Sequence, residues 1–198
     1  MTSRDRILSS IKANAPALIP LPTQFTFESR FDDLTQKFID VLASVGGIAE
    51  VVPDWATVIA KLQETYSGIT AVATTIPELA SLADTPLDGT SPHDLAGLNL
   101  AIIEGQLAVA ENAAIWVDER HLPHRVLPMI TQYLSIVVRQ STLVANMHDA
   151  YKLLKVDQTG FGTFICGPSK TADIEQSLVI GAHGARSLYV YILADGEE

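Results

Sequence analysis

Apolar residues recur with two different periods along this chain, and the alternation of the two periods predicts an α/β fold. The first helix predicted in this way ends at Gly46-Gly47. The residues of its apolar face are Phe31, Leu34, Phe38, Val41, Leu42 and Val45. Ser29 with Asp32 three residues later is typical of a helix start. A second helix is predicted to begin after Asp54, which can cap it, and to end at Gly68. The residues of its inner face are Trp55, Val58, Ile59, Leu62 and Tyr66.

Short apolar runs on either side of these helices predict strands. GIAEVV (47–52) is typical of a buried strand, and ITAVAT (69–74) predicts the next one. The run LNLAIIEGQLAVAENAAIWVDE (98–119) has no room for a helix, so it predicts adjacent strands or a sharp strand-turn-strand. LSIVVR (134–139) predicts a further strand, and Asn146 with Asp149 begins a helix that carries Met147, Ala150 and Leu154.

The C-terminal part predicts a strand-helix-strand unit, with strands at GTFICG (162–167) and SLYVYIL (187–193) and a helix over about 171–181. Strands that alternate with helices favour parallel pairing through helical crossovers. We therefore expect one α/β domain over residues 29–198, with a mostly parallel sheet flanked by helices. Residues 1–28 predict a short amphipathic helix and a proline-punctuated connector, an arm suited to pack on the body or on a neighbouring subunit, which allows a homo-oligomer.

Composition narrows the classes of partner. The formal net charge of −10 opposes binding to nucleic acid or to an anionic membrane surface, although a small anion can still bind where local groups act at short range. No apolar stretch approaches the length of a membrane span, and the first residues lack a signal-peptide core, so we expect a soluble, cytoplasmic protein.

Cysteine and histidine content bears on metals and clusters. Cys166 is the only cysteine, so the chain cannot hold an iron–sulfur cluster with its own thiolates, which normally number four. Its place in an apolar strand predicts a buried, inert thiol. His121 and His124 have metal-ligand spacing, but Pro123 breaks the helix that would align them, and no metal site is predicted.

The stretch CGPSKTADIEQSLVIGAHG (166–184) holds the strongest candidate site. Gly167-Pro168 ends a strand, and Ser169, Lys170 and Thr171 bring hydroxyls and a cation to the start of the predicted helix, where free N–H groups bind anions. Asp173 in the first turn suits the helix dipole. We expect this strand-to-helix turn to lie beyond the carboxyl end of its strand, where ligands bind in open α/β sheets. Capping alone also explains these residues. His183-Gly184 leaves the other end of this helix, about 15 Å away at 1.5 Å per residue, so spacing does not place Lys170 and His183 in one site.

The same stretch carries a family resemblance. GPSKTADIE (167–175), followed after QSLVI by GAHG and a final strand, closely resembles the C-terminal signature of the LUD domain, specifically of the lactate-utilization protein C (LutC/YkgG) family. The resemblance extends from about Phe31 to the C-terminus. It implies a fold similar to the NagB/RpiA/CoA-transferase-like group, and a part in the oxidation of L-lactate to pyruvate beside iron–sulfur partner proteins (LutA-like and LutB-like) that carry the clusters.

The family's central motif reads approximately A-E-T-G-T, and here it is AENAA (110–114). Glu111 persists, while Asn112, Ala113 and Ala114 replace the two threonines and the glycine, which removes hydroxyls and backbone freedom. Related CoA-transferases use a Glu on a comparable loop as a nucleophile. Glu111 therefore has two interpretations: a catalytic carboxylate in an apolar strand environment, or a strand-end acid that accepts backbone hydrogen bonds.

Three functional hypotheses follow from these observations. The leading one is a LutC-like subunit that binds a small anionic ligand at residues 167–173 and 111–112, together with His183 and Gly184. The second is a stand-alone CoA-transferase-like or sugar-phosphate enzyme that uses Glu111. The third is a scaffold whose AENAA change has removed the ligand site. Whether the chain is catalytic by itself is left open.

Overall fold

The computed structural model describes residues 2–20, 31–172 and 178–196. The helices are α1 (Ser3–Ala13), α2 (Leu34–Ser44), α3 (Trp55–Thr65), α4 (Leu127–Ile130) and α5 (Met147–Leu153). The strands are β1 (Ile48–Val52), β2 (Val72–Thr74), β3 (Leu100–Gly105), β4 (Leu107–Val109), β5 (Ala114–Asp118), β6 (Tyr133–Arg139), β7 (Leu143–Val144), β8 (Gly162–Ile165), β9 (Lys170–Ala172), β10 (Leu178–Ile180) and β11 (Ser187–Leu193). None of the described helices has the length and hydropathy needed to cross a membrane.

Five strands form a parallel sheet in the order β1-β11-β6-β3-β2. Phe38 and Leu42 of α2 are buried in the core cluster on one face of this sheet, and Val58 and Leu62 of α3 in the cluster on the other. The predicted α/β class with a mostly parallel sheet flanked by helices is confirmed. GIAEVV is a strand as predicted, but the expectation that it is buried was wrong: β1 lies at the edge of the sheet, and Ile48 is 55% exposed.

The caps explain where the helices begin. Asp54 accepts a hydrogen bond from the backbone N–H of Thr57 at 2.7 Å, and Asn146 accepts one from that of Asp149 at 3.0 Å, so both predicted caps are confirmed. The cap of α2 is Asp33, which accepts from Gln36, rather than the predicted start at Ser29, a residue outside the described part.

A second sheet of four short strands, in the order β7-β4-β5-β8, contains the later part of the long β-like run 98–119, whose earlier part is β3 of the parallel sheet. β4 and β5 pair antiparallel around the turn 110–113, which confirms the predicted strand-turn-strand. β8 pairs antiparallel with β5, so the expectation of a C-terminal parallel strand-helix-strand unit was wrong. Strand period alone does not tell which sheet a short apolar run will join.

The predicted helix over about 171–181 was also wrong. Residues 170–172 and 178–180 are the antiparallel strands β9 and β10, with Thr171 opposite Val179. The acids and hydroxyls of this segment are equally compatible with a capped helix and with a short hairpin, and tertiary contacts decide between the two. The hairpin removes the helix N-terminus on which the predicted anion site depended.

Candidate functional site

The loop between β10 and β11 folds back against the turn that follows β8. The N–H of Ser169 donates to the carbonyl of Ala185 at 2.8 Å, and the N–H of Gly181 donates to the carbonyl of Ser169 at 2.9 Å. These two bonds bring His183 and Gly184 beside Ser169. The separation of Lys170 from His183, which the helix prediction required, is therefore absent.

A hollow of about 300 Å³ lies at this junction, and we call it the motif hollow. Six of the ten predicted site residues line it: Gly167, Pro168, Ser169, Lys170, His183 and Gly184. Thr171 lies in β9 and is not part of this lining, and Asp173 lies outside the described residues. These six residues are therefore close together although the predicted secondary structure was wrong, and their role in binding stays a prediction.

Two glycines allow the close packing of the motif hollow. A Cβ on Gly184 would lie 3.0 Å from the Cβ of Ser169. Gly167 has a φ of +70°, and a Cβ there would lie 2.9 Å from the carbonyl oxygen of Val45. Any other residue at 167 would combine a strained backbone with a steric contact.

The polar groups of the motif hollow differ in their availability. Lys170 is exposed, and its Nζ donates to the carbonyl of Val45. Among the described residues, neither the Ser169 hydroxyl nor the His183 ring has a hydrogen-bond partner. A hydroxyl, an imidazole and an ammonium thus belong to one lining, in which none of the described residues is a carboxylate.

The motif hollow lies at a different edge of the parallel sheet from the one expected. Its walls include Met129 and Leu134, near the start of β6, and Ala185, just before β11. These are the amino ends of parallel strands, whereas the prediction placed the motif turn at carboxyl ends, where ligands usually bind in open α/β sheets. The reason is that β8 belongs to the second sheet.

Cys166 is exposed, contrary to the prediction of a buried thiol. It follows the last residue of β8, and its Sγ donates to the backbone carbonyl of Asn112 at 3.0 Å. Partial desolvation raises the pKa of the thiol, and the opposing effect of the Lys170 charge is smaller. The thiol is therefore protonated at neutral pH, and a protonated thiol is a poor nucleophile.

Glu111 lies in the exposed turn between β4 and β5, rather than in the apolar strand environment that its catalytic interpretation assumed. Its Oε1 accepts a hydrogen bond from the backbone N–H of Met147, the first residue of α5, at 2.7 Å. Asn112 accepts a hydrogen bond from the N–H of Ala114 through its own side chain. Neither Glu111 nor Asn112 lines the motif hollow, so the two halves of the predicted site are only joined through the contact of Asn112 with Cys166.

The turn of the AENAA segment contains a residue with left-handed backbone conformation. Ala113 occupies the glycine position of that motif, and its φ of +55° lies in the left-handed region that glycine favours. The loss of the glycine has therefore left the turn in place.

A larger hollow, of about 710 Å³, lies where the prediction expected a ligand. We call it the carboxyl-edge hollow, because it is lined by Thr74 at the end of β2 and by Glu104 near the end of β3. Glu119, Arg120 and His121, which follow β5, complete one wall.

Behind this wall lies Asp118, whose side chain is fully buried. Arg120 Nη2 donates to Asp118 Oδ2 at 2.6 Å, His121 Nδ1 lies 3.2 Å from Oδ1, and Trp116 Nε1 donates to Oδ2 at 3.3 Å. Burial alone raises the pKa of this carboxyl, but the hydrogen bonds from Arg120, His121 and Trp116 outweigh burial and hold the pKa at about 2.

Sequence reasoning missed this cluster, although the sequence contains a signal for it. The quartet Asp118-Glu119-Arg120-His121 begins at the last residue of a strand that is buried throughout. His121 and His124 do not converge: His121 contacts Asp118, while His124 Nε2 lies 3.0 Å from the carbonyl oxygen of Leu87. In the part of the chain that the structure describes, no group of three or more His, Cys, Asp or Glu side chains is placed to hold a metal ion.

Known proteins share both the fold and part of the sequence. A crystal structure of a DUF162 family protein from Deinococcus radiodurans superposes with a TM-score of 0.62 at 18% identity, over 81% of this chain and 96% of that chain. Lactate utilization protein C from Shouchella clausii (strain KSM-K16) is 31% identical over 101 residues, which are 48% of this chain and 44% of that protein. Lactate utilization protein C from Exiguobacterium sp. (strain ATCC BAA-1283 / AT1b) is 30% identical over 138 residues, 66% of this chain and 60% of that protein.

The match thus spans less than half the length of the first of these relatives. The family model of the LUD domain matches residues 93–193, which are 101 of the 198 residues of this chain and include both AENAA and the segment 167–184. The chain therefore belongs to the LUD domain family, and the resemblance to lactate-utilization protein C that its C-terminal motif indicated is confirmed.

Proposed function

We propose that this chain is a protein C-type component of lactate utilization, which takes part in the oxidation of L-lactate to pyruvate and binds a small carboxylate ligand in the motif hollow. The printed names of its curated relatives support the pathway. The observation that carries the binding site is the convergence of Ser169, Lys170 and His183 on one hollow.

Charge favours the motif hollow over the larger one for an anion. Among its described residues the motif hollow has Lys170 and His183 in its lining and no carboxylate. In the carboxyl-edge hollow, Arg120 and His121 are accompanied by three carboxylates, Asp88, Glu104 and Glu119. Local charges decide this choice, because the protein's distant net negative charge is screened within about 10 Å at 0.1 M salt. The Ser169 hydroxyl, which has no hydrogen-bond partner among the described residues, adds a donor beside the Lys170 ammonium and the His183 ring.

The proposed partners are iron–sulfur proteins of the LutA-like and LutB-like kinds. The chain has one cysteine, and its thiol is engaged with the carbonyl of Asn112. Oxidation of lactate releases two electrons, which this chain's own thiolates cannot carry on a cluster. In this proposal the partner proteins therefore carry out electron transfer, and this chain binds the ligand.

Binding can be tested with the full chain by thermal unfolding and calorimetry. We expect L-lactate and pyruvate to stabilise the fold, by about 2.7 kcal/mol at 100 times the dissociation constant. Lactamide, which has the size of lactate without its charge, is the matched ligand control and should have little effect. Equal stabilisation by lactamide, or none by either carboxylate, contradicts the anion site.

Variants locate the binding site. Ser169→Ala and His183→Gln should each weaken carboxylate binding about tenfold, the loss of one hydrogen bond to a charged group. His93→Gln, which changes an exposed histidine outside the motif hollow, should leave binding unchanged. Binding that survives both motif variants would place the ligand elsewhere.

The pathway is tested by genetics in the source organism. Deletion of the gene should abolish growth on L-lactate while leaving growth on pyruvate intact, and the wild-type gene should restore it. Undiminished growth on L-lactate would exclude the pathway role, whatever the binding assays show. Affinity purification of the tagged chain should recover cluster-containing proteins, identified by their visible absorbance and iron content.

Glu111→Gln separates this proposal from the stand-alone enzyme that uses Glu111. In the structure this carboxylate accepts the N–H of Met147, so the substitution should lower stability by about 1 kcal/mol and leave complementation intact. A folded Glu111→Gln protein that fails to complement, or a covalent adduct trapped on Glu111, would instead favour the enzyme. The scaffold alternative predicts complementation without any measurable ligand.

A further inference from the structure

The N-terminal arm, residues 2–20, packs none of its large apolar side chains on the rest of the described chain. Ile7, Leu8 and Ile11 of α1 are 59%, 48% and 62% exposed, and Leu18 and Ile19 are 102% and 82% exposed. The three α1 residues lie on one face of the helix. This face is therefore an apolar stripe without a partner in the described part of its own chain.

The helix itself is well specified. Thr2 and Asp5 form a reciprocal capping box at its start, and the N–H of Asn14 donates to the carbonyl of Ser10 at its end. An isolated helix of 11 residues is nevertheless marginal in water, because short helices gain most of their stability from packing of an apolar face. The helix α1 therefore needs to pack its apolar face against another surface to be stable.

The charge of the arm identifies the kind of surface. Arg4, Arg6 and Lys12 against Asp5 give residues 1–20 a formal charge of +2. Because the whole chain carries −10, residues 21–198 carry −12. A basic arm on an acidic body is complementary to another copy of the same body.

The body offers an apolar groove at the amino ends of its parallel strands. Two adjoining hollows of about 240 and 290 Å³ share Tyr66 and Ile69 in their linings. Ile48 at the start of β1, Tyr133 at the start of β6 and Tyr189 of β11 line the second hollow. We call the two hollows together the amino-edge groove.

Carboxylates flank the amino-edge groove. Tyr189 donates its hydroxyl to Glu50 Oε1 at 2.7 Å, and the Tyr189 and Tyr191 rings stack at 4.8 Å. Burial raises the pKa of Tyr191 to about 12, and the nearby carboxylates of Glu50 and Glu64 add to this increase. Glu50 therefore lies beside Tyr189, which lines the groove, and it also pairs with Lys61. Glu64 is exposed and precedes Thr65 of the groove lining, so it can meet a basic side chain of a docked helix.

We propose that the arm of one chain docks its Ile7, Leu8 and Ile11 stripe into the amino-edge groove of a second copy of this chain, forming a dimer by arm exchange. The segment from residue 14 to residue 33 is 20 residues long and spans at most about 70 Å, which is enough to reach a neighbouring copy. An amphipathic helix laid into an apolar groove is a recurrent mode of recognition. Exchange in both directions closes a twofold assembly and leaves neither stripe exposed.

The test is the oligomeric state of the full chain by analytical ultracentrifugation over a range of concentrations. The wild type should be dimeric at micromolar concentrations. Ile11→Glu on the arm should weaken the dimer at least about 30-fold, the effect of losing a central apolar anchor. Ser9→Glu introduces the same charge on the opposite face of α1 and should leave the dimer intact.

A matched pair of substitutions on β1 tests the amino-edge groove. Ile48→Glu places a charge inside the amino-edge groove and should weaken the dimer as Ile11→Glu does, whereas Val51→Glu changes an exposed residue of the opposite strand face and should not. Circular dichroism confirms that each variant is folded. A wild type that is monomeric at 100 μM, or a dimer insensitive to both Ile11→Glu and Ile48→Glu, overturns the proposal. So does a monomer that binds anionic phosphatidylglycerol vesicles through the arm, because the stripe would then serve a membrane surface.

Discussion

The buried carboxylate of Asp118 gives the sharpest test of the energetics of this fold. Asp118→Asn keeps the shape of the side chain and removes its charge, while Arg120, His121 and Trp116 still point their donors at it. The side chain is fully buried, so solvent cannot replace the lost interaction. We expect the variant to fold and to be less stable at neutral pH.

The magnitude follows from the pKa. A carboxyl whose pKa is 3.8 when unfolded and about 2 when folded contributes about 2.4 kcal/mol to the free energy of unfolding at neutral pH. Because the folded-state pKa of Asp118 is the lower one, this contribution is complete above the unfolded value and is lost as pH falls through the folded value. About half of it should be gone at pH 3.

The assay is urea unfolding of the wild type and of Asp118→Asn at several pH values between 7 and 2.5. The stability difference should be about 2 kcal/mol at pH 7 and about half as large at pH 3. Glu119→Gln is the control, because its partner Arg125 is 61% exposed and such a pair contributes less than about 1 kcal/mol. A difference below about 0.5 kcal/mol at pH 7, or one that does not change between pH 7 and pH 3, would refute the reasoning.

Three further predictions concern packing, capping and thiol chemistry. Gly105→Ala should lower the free energy of unfolding by about 1–3 kcal/mol, because the new Cβ would lie 2.5 Å from Ile115 Cγ2; Gly97→Ala, with nothing within 4 Å, should change it little in the same urea titration. Asp54→Ala removes the cap of α3 and should lower the melting temperature, and an unchanged melting temperature would count against the cap. Alkylation of Cys166 by iodoacetamide should proceed without denaturant, because the thiol is exposed. The alkylation rate should still be rising at about pH 9, because the pKa of the thiol is raised. A rate that is already constant at about pH 7.5 would contradict that shift.

The resemblance to lactate-utilization relatives draws attention to two places, the motif hollow and the AENAA turn. The polar groups at these two places differ in their availability to a ligand. In the motif hollow, the Ser169 hydroxyl and the His183 ring have no hydrogen-bond partner among the described residues, whereas the Glu111 carboxylate accepts a hydrogen bond at the start of α5. The departure of AENAA from the family pattern therefore bears on the packing of that turn more than on the proposed ligand. The left-handed backbone of Ala113 is consistent with a turn inherited from a glycine-containing motif.

Local sequence patterns predicted a helix correctly where one face of that helix packs against one core. The apolar spacing of Phe38 and Leu42 predicted α2, and Asp54 and Asn146 predicted the starts of α3 and α5. These features depend on residues within one or two turns of each other, so the sequence states them directly. The residues of the motif hollow were found in the same way, through the compact signature between Gly167 and Gly184.

Chemistry that depends on distant segments could not be predicted. The hydrogen bonds of Ser169 with Ala185 and Gly181 bring the two ends of the motif together, and no spacing rule anticipates them. Asp118 is buried because β5 lies in a second sheet behind the wall of the carboxyl-edge hollow. Neither arrangement has a local signature, because each depends on which strands pair.

The sequence by itself determined the α/β class, most of the elements and the family, because periodicity, caps and a nine-residue signature are properties of neighbouring residues. Only the tertiary structure decided that β1 is an edge strand, that β8 joins an antiparallel sheet, and that a hairpin brings His183 to Ser169. The physical reason is that short apolar runs satisfy the same local rules in a helix, a parallel strand or a hairpin. Their choice is made by the surface they bury and the hydrogen bonds they complete with residues far along the chain.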